Sequence, residues 1–269
     1  MDLTDAPTLR RFLSKYELAA KKGLGQHFLC SRPVVSKIVD ALQGYPGILE
    51  IGPGPGVLTS PLSERAEKYT AIELDSRMIE ALAESAPQAE VRQEDALKTD
   101  LNVLLRNLPE PKAVVSNLPY YITGPLLTRI AEARHCFQKA VLMMQKEVAQ
   151  RVLARAKESA RGSLSVYLQL QFEIRKIVDA PAGAFLPPPK VDSTVLEFMS
   201  KPDEYEDSLF KLIRFGFAQP RKTMVNNLLA GYHVPRDEAM EWLTRAGLDE
   251  KSRPQELSNE QWLTLHASH

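Results

Sequence analysis

Between Gly47 and Gln145 short, nearly continuous apolar runs alternate with amphipathic stretches: "GILEIG" from Gly47, "KYTAIEL" from Lys68, "AEVRQED" from Ala89, "KAVVSNL" from Lys112 and "KAVLMMQ" from Lys139. A strand that is apolar on both faces must be covered on both, which a parallel sheet with helical crossovers provides. The predicted fold class is therefore α/β, and segments such as Ser76 to Glu84 supply the helices. After Glu147 the pattern changes. A helix through Arg151 and Arg155 leads to "QFEIRKIVDA" and "STVLEF", two strands close enough in sequence to form an antiparallel edge pair. From Ser200 the strands stop, and "YEDSLFKLIRFGF", "KTMVNNLLAGY", "DEAMEWLTRAGL" and "SNEQWLTLHA" read as helices, the last capped by Ser258 with Glu260 or Gln261 behind it. The expected organisation is a larger domain over residues 1–199 and an all-helical one over 200–269, joined at "SKPDEYED".

Composition narrows the setting. With 269 residues, 44% of them hydrophobic, the chain can bury a sizeable core. No apolar run approaches the ~20 residues that span a bilayer, and "MDLTDAPTLRRFLSKYELAAKK" lacks the features of a signal peptide. A cytoplasmic protein away from the membrane is expected. Basic and acidic residues both number 34, so net charge carries no nucleic-acid footprint. Local charge is uneven: Arg10, Arg11, Lys15, Lys21 and Lys22 crowd the N-terminal arm, and Lys146, Arg151, Arg155, Lys157 and Arg161 follow one another along an expected helix. Taken alone, both groups are equally well read as solvated helix faces. Cys30 and Cys136 form no C-x-x-C pair and are expected buried and reduced. The five histidines are too scattered to hold a metal, so no metal is expected.

Chemistry concentrates at the strand ends. "LEIGPGPG" sets Gly52, Gly54 and Gly56 after the first strand, where glycine permits a sharp turn and close approach of a ligand. A dinucleotide fingerprint requires glycine at position 57, which is Val57. The G-x-G-x-G loop with a preceding acid, Glu50, instead resembles motif I of S-adenosylmethionine-dependent methyltransferases. Glu73 ends the second strand roughly 20 residues after the first glycine, the spacing of a ribose-binding carboxylate. In Glu94-Asp95-Ala96, after the third strand, Asp95 stands where it can accept from an adenine amino group. One such acid is unremarkable. Three at successive strand ends beside a glycine loop point to a nucleoside.

The fourth strand ends in Ser116-Asn117-Leu118-Pro119-Tyr120-Tyr121. The side-chain oxygen of Asn117 and the backbone oxygen of Leu118 can both accept hydrogen bonds from one exocyclic amine, Pro119 fixes the turn, and Tyr120 offers a ring to a flat heterocycle. An amine conjugated to a purine is a poor nucleophile. Two acceptors on its hydrogens favour the pyramidal form whose lone pair meets a methyl group.

Glycine loop, Glu73, "EDAL" and "NLPY", in this order and spacing, resemble the ribosomal RNA adenine dimethyltransferases that act on small-subunit rRNA. Gly25-Gln26-His27-Phe28-Leu29 matches that family's N-terminal "GQHFL", and Phe185 to Ser193, "FLPPPKVDS", matches its proline-rich segment. The likeness extends to "FAQPRKTMVNNL", although Pro220 stands where the family tends to have arginine, and Met1 to Ala20 carries no motif of it. The resemblance implies a class I S-adenosylmethionine-dependent methyltransferase fold. That is a Rossmann-like, seven-strand, mostly parallel sheet with one reversed edge strand, followed by a small C-terminal all-helical domain that binds RNA and the ribosome. It implies S-adenosyl-L-methionine as cofactor, bound by Gln26, His27, Leu29, Glu50, Gly52, Gly54, Gly56, Glu73, Leu74, Asp95, Ala96 and Asn117. Asn117, Leu118, Pro119, Tyr120 and Phe185 are the implied catalytic residues, with Tyr120 and Phe185 as aromatic walls for the target base.

The implied reaction is dimethylation of N6 on two adjacent adenines in a hairpin loop near the 3′ end of 16S rRNA, by a monomer acting on the immature 30S subunit. Arg221 and Lys222, with the basic arm, are expected to touch phosphates. Two alternatives remain at this stage: a methyltransferase of the erythromycin-resistance type acting on 23S rRNA, and a non-catalytic assembly factor built on the same fold.

Overall fold

The computed structural model describes residues 1–18 and 27–268, so Lys21, Lys22, Gly25 and Gln26 lie outside the described residues. Two compact units divide the chain: Met1–Ala149 with Ile174–Ser200, and Gln150–Glu173 with the chain from Lys201 onward. The break after Ser200 falls beside the one expected from sequence. The segment Gln150–Glu173, expected with the first domain, groups with the second. Its helix α8 (Ser163–Gln171) explains why: Val166 and Leu170 bury themselves with Leu209, Leu212 and Trp262 in the helical core.

In the first unit the strands are β1 (Phe28–Leu29), β2 (Gly47–Ile51), β3 (Lys68–Glu73), β4 (Glu90–Gln93), β5 (Lys112–Asn117), β6 (Lys139–Gln145), β7 (Phe172–Ala180, shared with the second unit), β8 (Phe185–Leu186) and β9 (Ser193–Ser200). Seven of them form one sheet in the order β4-β3-β2-β5-β6-β9-β7, while β1 and β8 make a separate antiparallel pair. The ladders β2–β3, β2–β5, β3–β4 and β5–β6 are parallel, and β9 runs antiparallel to β6. The reversed strand is not at the edge. Residues 193–198 of β9 are all buried, whereas β7 is buried only at Phe172 and Ala180, so β9 takes the interior place and β7 the rim.

Helices cover the sheet where apolar residues recur every three or four positions. On α2 (Arg32–Ala41) these are Val34, Val35, Ile38 and Val39; on α4 (Ser76–Ser85) they are Met78, Ala81 and Leu82. Asp75 caps α4 by accepting from the Arg77 N–H, and Asp100 does the same for α5 (Leu101–Arg106) at Asn102. The start of the chain, read from sequence only as a basic arm, forms a helix, α1 (Ala6–Lys15). Asp5 caps it through the Thr8 N–H, and Leu9, Phe12 and Leu13 are buried in the main core. Lys15 and Tyr16 both bond the Glu84 carboxylate on α4, so Lys15 is committed to a protein partner.

The second unit packs α8 with α9 (Asp207–Gly216), α10 (Met224–Tyr232), α11 (Arg236–Arg245) and α12 (Asn259–His266). Ser258 and Gln261 form a capping box at the start of α12, as its sequence suggests. The basic run after β6 does not share one helix face. Helix α7 (Lys146–Leu153) stops before Arg155, and Arg161 is 5% exposed, donating to the Ala154 carbonyl, Gln169 Oε1 and Asn259 Oδ1 at 2.6–2.9 Å. Asn227, also buried, accepts from the Gln219 N–H at 3.0 Å and donates to the carbonyls of Gln219 and Thr223. It brackets the loop in which Arg221 and Lys222 stand exposed.

Cys30 and Cys136 are free and only partly buried, a departure from the expected full burial. Cys30 lies between β1 and α2, and Cys136 ends a short 3-10 helix, its thiol donating to Asn102 Oδ1 at 3.2 Å. Among the described residues no helix is long and apolar enough to cross a membrane.

If α1 is integral to the core, Leu9→Ala costs about 2–5 kcal/mol of stability by leaving a cavity, whereas the exposed neighbour Arg10→Ala stays within about 0.5 kcal/mol. Urea denaturation of the two variants checks this.

Candidate active site

Parallel register brings the carboxyl ends of β2, β3, β4 and β5 to one edge of the sheet, with Ile51 opposite both Ile72 and Ser116, and Glu73 opposite Gln93. Beyond this edge lies a cleft of about 1060 Å³, open mouth included, entirely within the first unit. Most of the expected residues meet there: His27 and Leu29 from β1 and its approach, Glu50, Gly52 and Gly54 from β2 and its loop, Glu73 and Leu74 after β3, Asp95 and Ala96 after β4, and Asn117 to Tyr120 after β5.

The glycine loop works by backbone conformation. Gly52, Gly54 and Gly56 have φ of +71°, +56° and +95°, a region closed to most side chains. Gly56 is the exception in placement. It does not line the cleft, and a Cβ there would sit 2.4 Å from Ser85 Oγ and 3.2 Å from Leu82 Cδ2. Its role is close packing against α4. Glu73, 8% exposed, holds the loop in place: Oε2 accepts from the Gly54 N–H at 3.1 Å and Oε1 from the Asp75 N–H at 2.9 Å. A carboxylate has about four acceptor positions, so Glu73 keeps acceptor capacity for a ligand hydroxyl. Burial raises its pKa, opposed by the N–H groups of Asp75, Gly54 and Leu74.

Glu50 lies deeper, 1% exposed, and its Oε2 accepts from Thr59 Oγ1 at 2.6 Å and from the Tyr69 hydroxyl at 2.7 Å. Burial pushes its pKa up to about 7 despite these donors, with the Glu73 charge adding to the rise. Asp95 accepts from the Leu97 N–H at 3.0 Å through Oδ1, and its Oδ2 stands 3.7 Å from Lys98 Nζ, with 30% of the side chain exposed.

The acceptor turn is anchored on all sides. The Leu118 N–H continues the ladder to the Met143 carbonyl at 3.0 Å, and Thr123 Oγ1 donates to the carbonyls of Pro119 and Tyr120. Asn117 Nδ2 donates to the His27 carbonyl at 3.3 Å. The Tyr120 ring stacks on the His27 ring, centroids 5.5 Å apart, and His27 Nδ1 is 2.8 Å from the Pro187 carbonyl. Phe185, expected as the second aromatic wall, is 3% exposed and packs in the core within the β1–β8 pair, opposite Leu29. It does not line the cleft. Its sequence neighbours are the proline loop, but strand pairing with β1 turns the ring inward. Gln26 lies outside the described residues.

Two cleft residues carry no role assigned from sequence: Tyr121, which lines the cleft and is 52% exposed, and Asp75, whose N–H orients Glu73. The doubled tyrosine was a visible signal for the first. Nothing local signalled the second.

Because the ordinary carboxyl value of 4.5 applies to the unfolded chain and about 7 to the folded one, unfolded Glu50 ionises first as pH rises. Stability therefore falls between those two values and levels off above the higher one, by about 3 kcal/mol in all. Glu50→Gln removes this component, so the stability of the variant relative to wild type should rise by about that amount from about pH 5 to about pH 8, as read by denaturant melts.

Comparison with known proteins agrees with the geometry. Ribosomal RNA small subunit methyltransferase A of Staphylococcus aureus is 35% identical over 98% of this chain and 95% of its own length, and that of Bacillus mycoides 36% over 98% and 96%. Among solved structures, a dimethyladenosine transferase from Plasmodium falciparum superposes with a TM-score of 0.72 at 28% identity, covering 89% of this chain and 96% of its own. The 23S rRNA methyltransferase ErmE superposes with a TM-score of 0.67 at 26% identity, covering 90% and 98%. The family model described as ribosomal RNA adenine dimethylase matches residues 17–268, and with it the class I methyltransferase sheet, the glycine loop and the acceptor turn find one explanation: the chain belongs to the ribosomal RNA adenine dimethylase family.

Proposed function

We propose that this chain transfers methyl groups from S-adenosylmethionine to N6 of two adjacent adenines in a hairpin loop near the 3′ end of 16S rRNA, acting on the immature 30S subunit. The observation that carries the reading is the bond from Asn117 Nδ2 to the His27 carbonyl. It commits the donor side of the amide to the protein and leaves Oδ1 as the acceptor, one residue before the Leu118 carbonyl.

The cleft residues fit the cofactor. Glu73 keeps acceptor capacity for the ribose hydroxyls, Asp95 Oδ2 would accept from the adenine amino group, and Gly52 leaves open space, since a Cβ there would meet nothing within 4 Å. Bound S-adenosylmethionine supplies an electrophilic methyl carried by a sulfonium. The protein supplies alignment. Asn117 Oδ1 and the Leu118 carbonyl take the two N6 hydrogens, which favours the pyramidal amine and points its lone pair into the cleft. Tyr120 stacks the extruded base. No strong base is needed, because the amine proton becomes acidic only as the new C–N bond forms. Arg221 and Lys222 meet RNA phosphates, which position the substrate and do not select the base.

Action on large-subunit RNA, as the name of ErmE describes for that protein, is the weaker alternative: the small-subunit relatives share 35% and 36% identity with this chain against 26% for ErmE. Incubating the protein and labelled S-adenosylmethionine with small and large subunits from an unmethylated strain, then mapping the modified nucleotides, separates the two. Methyl groups only on large-subunit RNA would overturn the proposal.

Two variants dissect the site. Glu73→Ala should weaken cofactor binding measured by calorimetry, each charge-assisted hydrogen bond being worth about 1.5–3 kcal/mol before desolvation is counted. Asn117→Ala should leave cofactor affinity nearly unchanged and slow transfer on the order of 10² to 10³-fold in single-turnover assays that resolve mono- from dimethyladenine. Wild-type rates for both steps would remove Asn117 from the mechanism.

A further inference from the structure

We propose that Ser193 is a positioning residue for methyl transfer, its hydroxyl holding the Tyr120 ring in the orientation that meets the target base. The inference rests on the reading of Tyr120 as the stacking platform. Ser193 opens β9, is fully buried, and is fixed in register opposite Gln145. Its Oγ lies 2.7 Å from the Tyr120 hydroxyl. A buried hydroxyl requires a partner, and the phenol is the one this hydroxyl has within bonding distance.

Tyr120 needs such a restraint. It sits on a single turn, Tyr120–Ile122, and is only half-buried, so packing alone does not fix its two side-chain torsions. Thr123 holds its backbone through the Pro119 and Tyr120 carbonyls, which leaves the ring itself free to swing. Two contacts stop it. His27 covers one side of the ring at 28° between planes, and Ser193 pins the hydroxyl end. The opposite face is then presented in a constant direction relative to Asn117, which His27 also holds through its carbonyl. Burial raises the phenol pKa above its ordinary value against the opposing Ser193 bond, so the phenol stays neutral and either hydroxyl can donate to the other. A base stacked on a ring that wanders would carry its amine away from the two acceptors, and alignment of that amine is what the turn contributes.

Ser193→Ala is tested on undermethylated small subunits together with Tyr120→Phe, which removes the same bond while leaving Ser193 in place. Each should lower kcat about 5- to 10-fold, the equivalent of one neutral hydrogen bond, with KM for S-adenosylmethionine unchanged. The double variant should be no slower than either single one, because both remove one interaction. Wild-type kcat in both single variants would overturn the proposal. So would losses that multiply in the double variant, or a KM for the cofactor that rises with the fall in kcat. Failure of the underlying functional reading looks different: the wild-type protein itself would place no methyl on adenine.

Discussion

A parallel sheet leaves its strands' carboxyl ends on one edge, where the ladder stops and backbone polar groups must find other partners. In this chain the constraint is met by the Glu73 carboxylate, which receives the N–H groups of Gly54 and Asp75. The glycine loop after β2 and the turn after β3 are thereby tied to one side chain. The cofactor side of the cleft depends on this tie, because Gly52 and Gly54 can face it only if the loop keeps its shape. Three positive φ values in five residues would otherwise make that loop the loosest part of the sheet edge.

The acceptor turn follows the same logic with different parts. Its backbone is an extension of the β5–β6 ladder through Leu118, and its side chains reach across to residues distant in sequence: Asn117 to His27, Tyr120 to Ser193. The site is thus preorganised by long-range hydrogen bonds and not by local propensity. That arrangement suits chemistry in which the protein donates no proton and forms no covalent bond, and whose contribution is geometric.

Much of this was legible in the sequence because it is written in short-range code. Apolar runs gave β2, β3, β5 and β6, Ser258 and Gln261 marked the start of α12, and the glycine loop, Glu73, Asp95 and Asn117 fall where strand ends put them. The parts that were not legible depend on contacts between distant segments. Phe185 looked like a pocket wall beside its prolines, yet pairing of β8 with β1 buries it. The place of β9 inside the sheet is decided by burial on both faces against the half-polar β7. Helix α8 was misplaced among the domains because only its packing against α9 and α12 shows where it belongs. The helix α1 was within reach of sequence, since Asp5 followed by Leu9, Phe12 and Leu13 is a capped amphipathic pattern, overlaid by the basic charges of the same segment.

The bracket formed by Asn227 separates two properties that a single motif seems to join. One buried amide fixes the path of the 219–223 loop, while the charges at Arg221 and Lys222 stand outside that bonding and contribute nothing to it. The electrostatic face of the helical unit can therefore be retuned, in strength or even in sign, without disturbing the scaffold beneath it. A lineage adapting to a different ionic interior, or an engineer grafting a new docking preference, has at this loop a surface whose charge and shape vary independently.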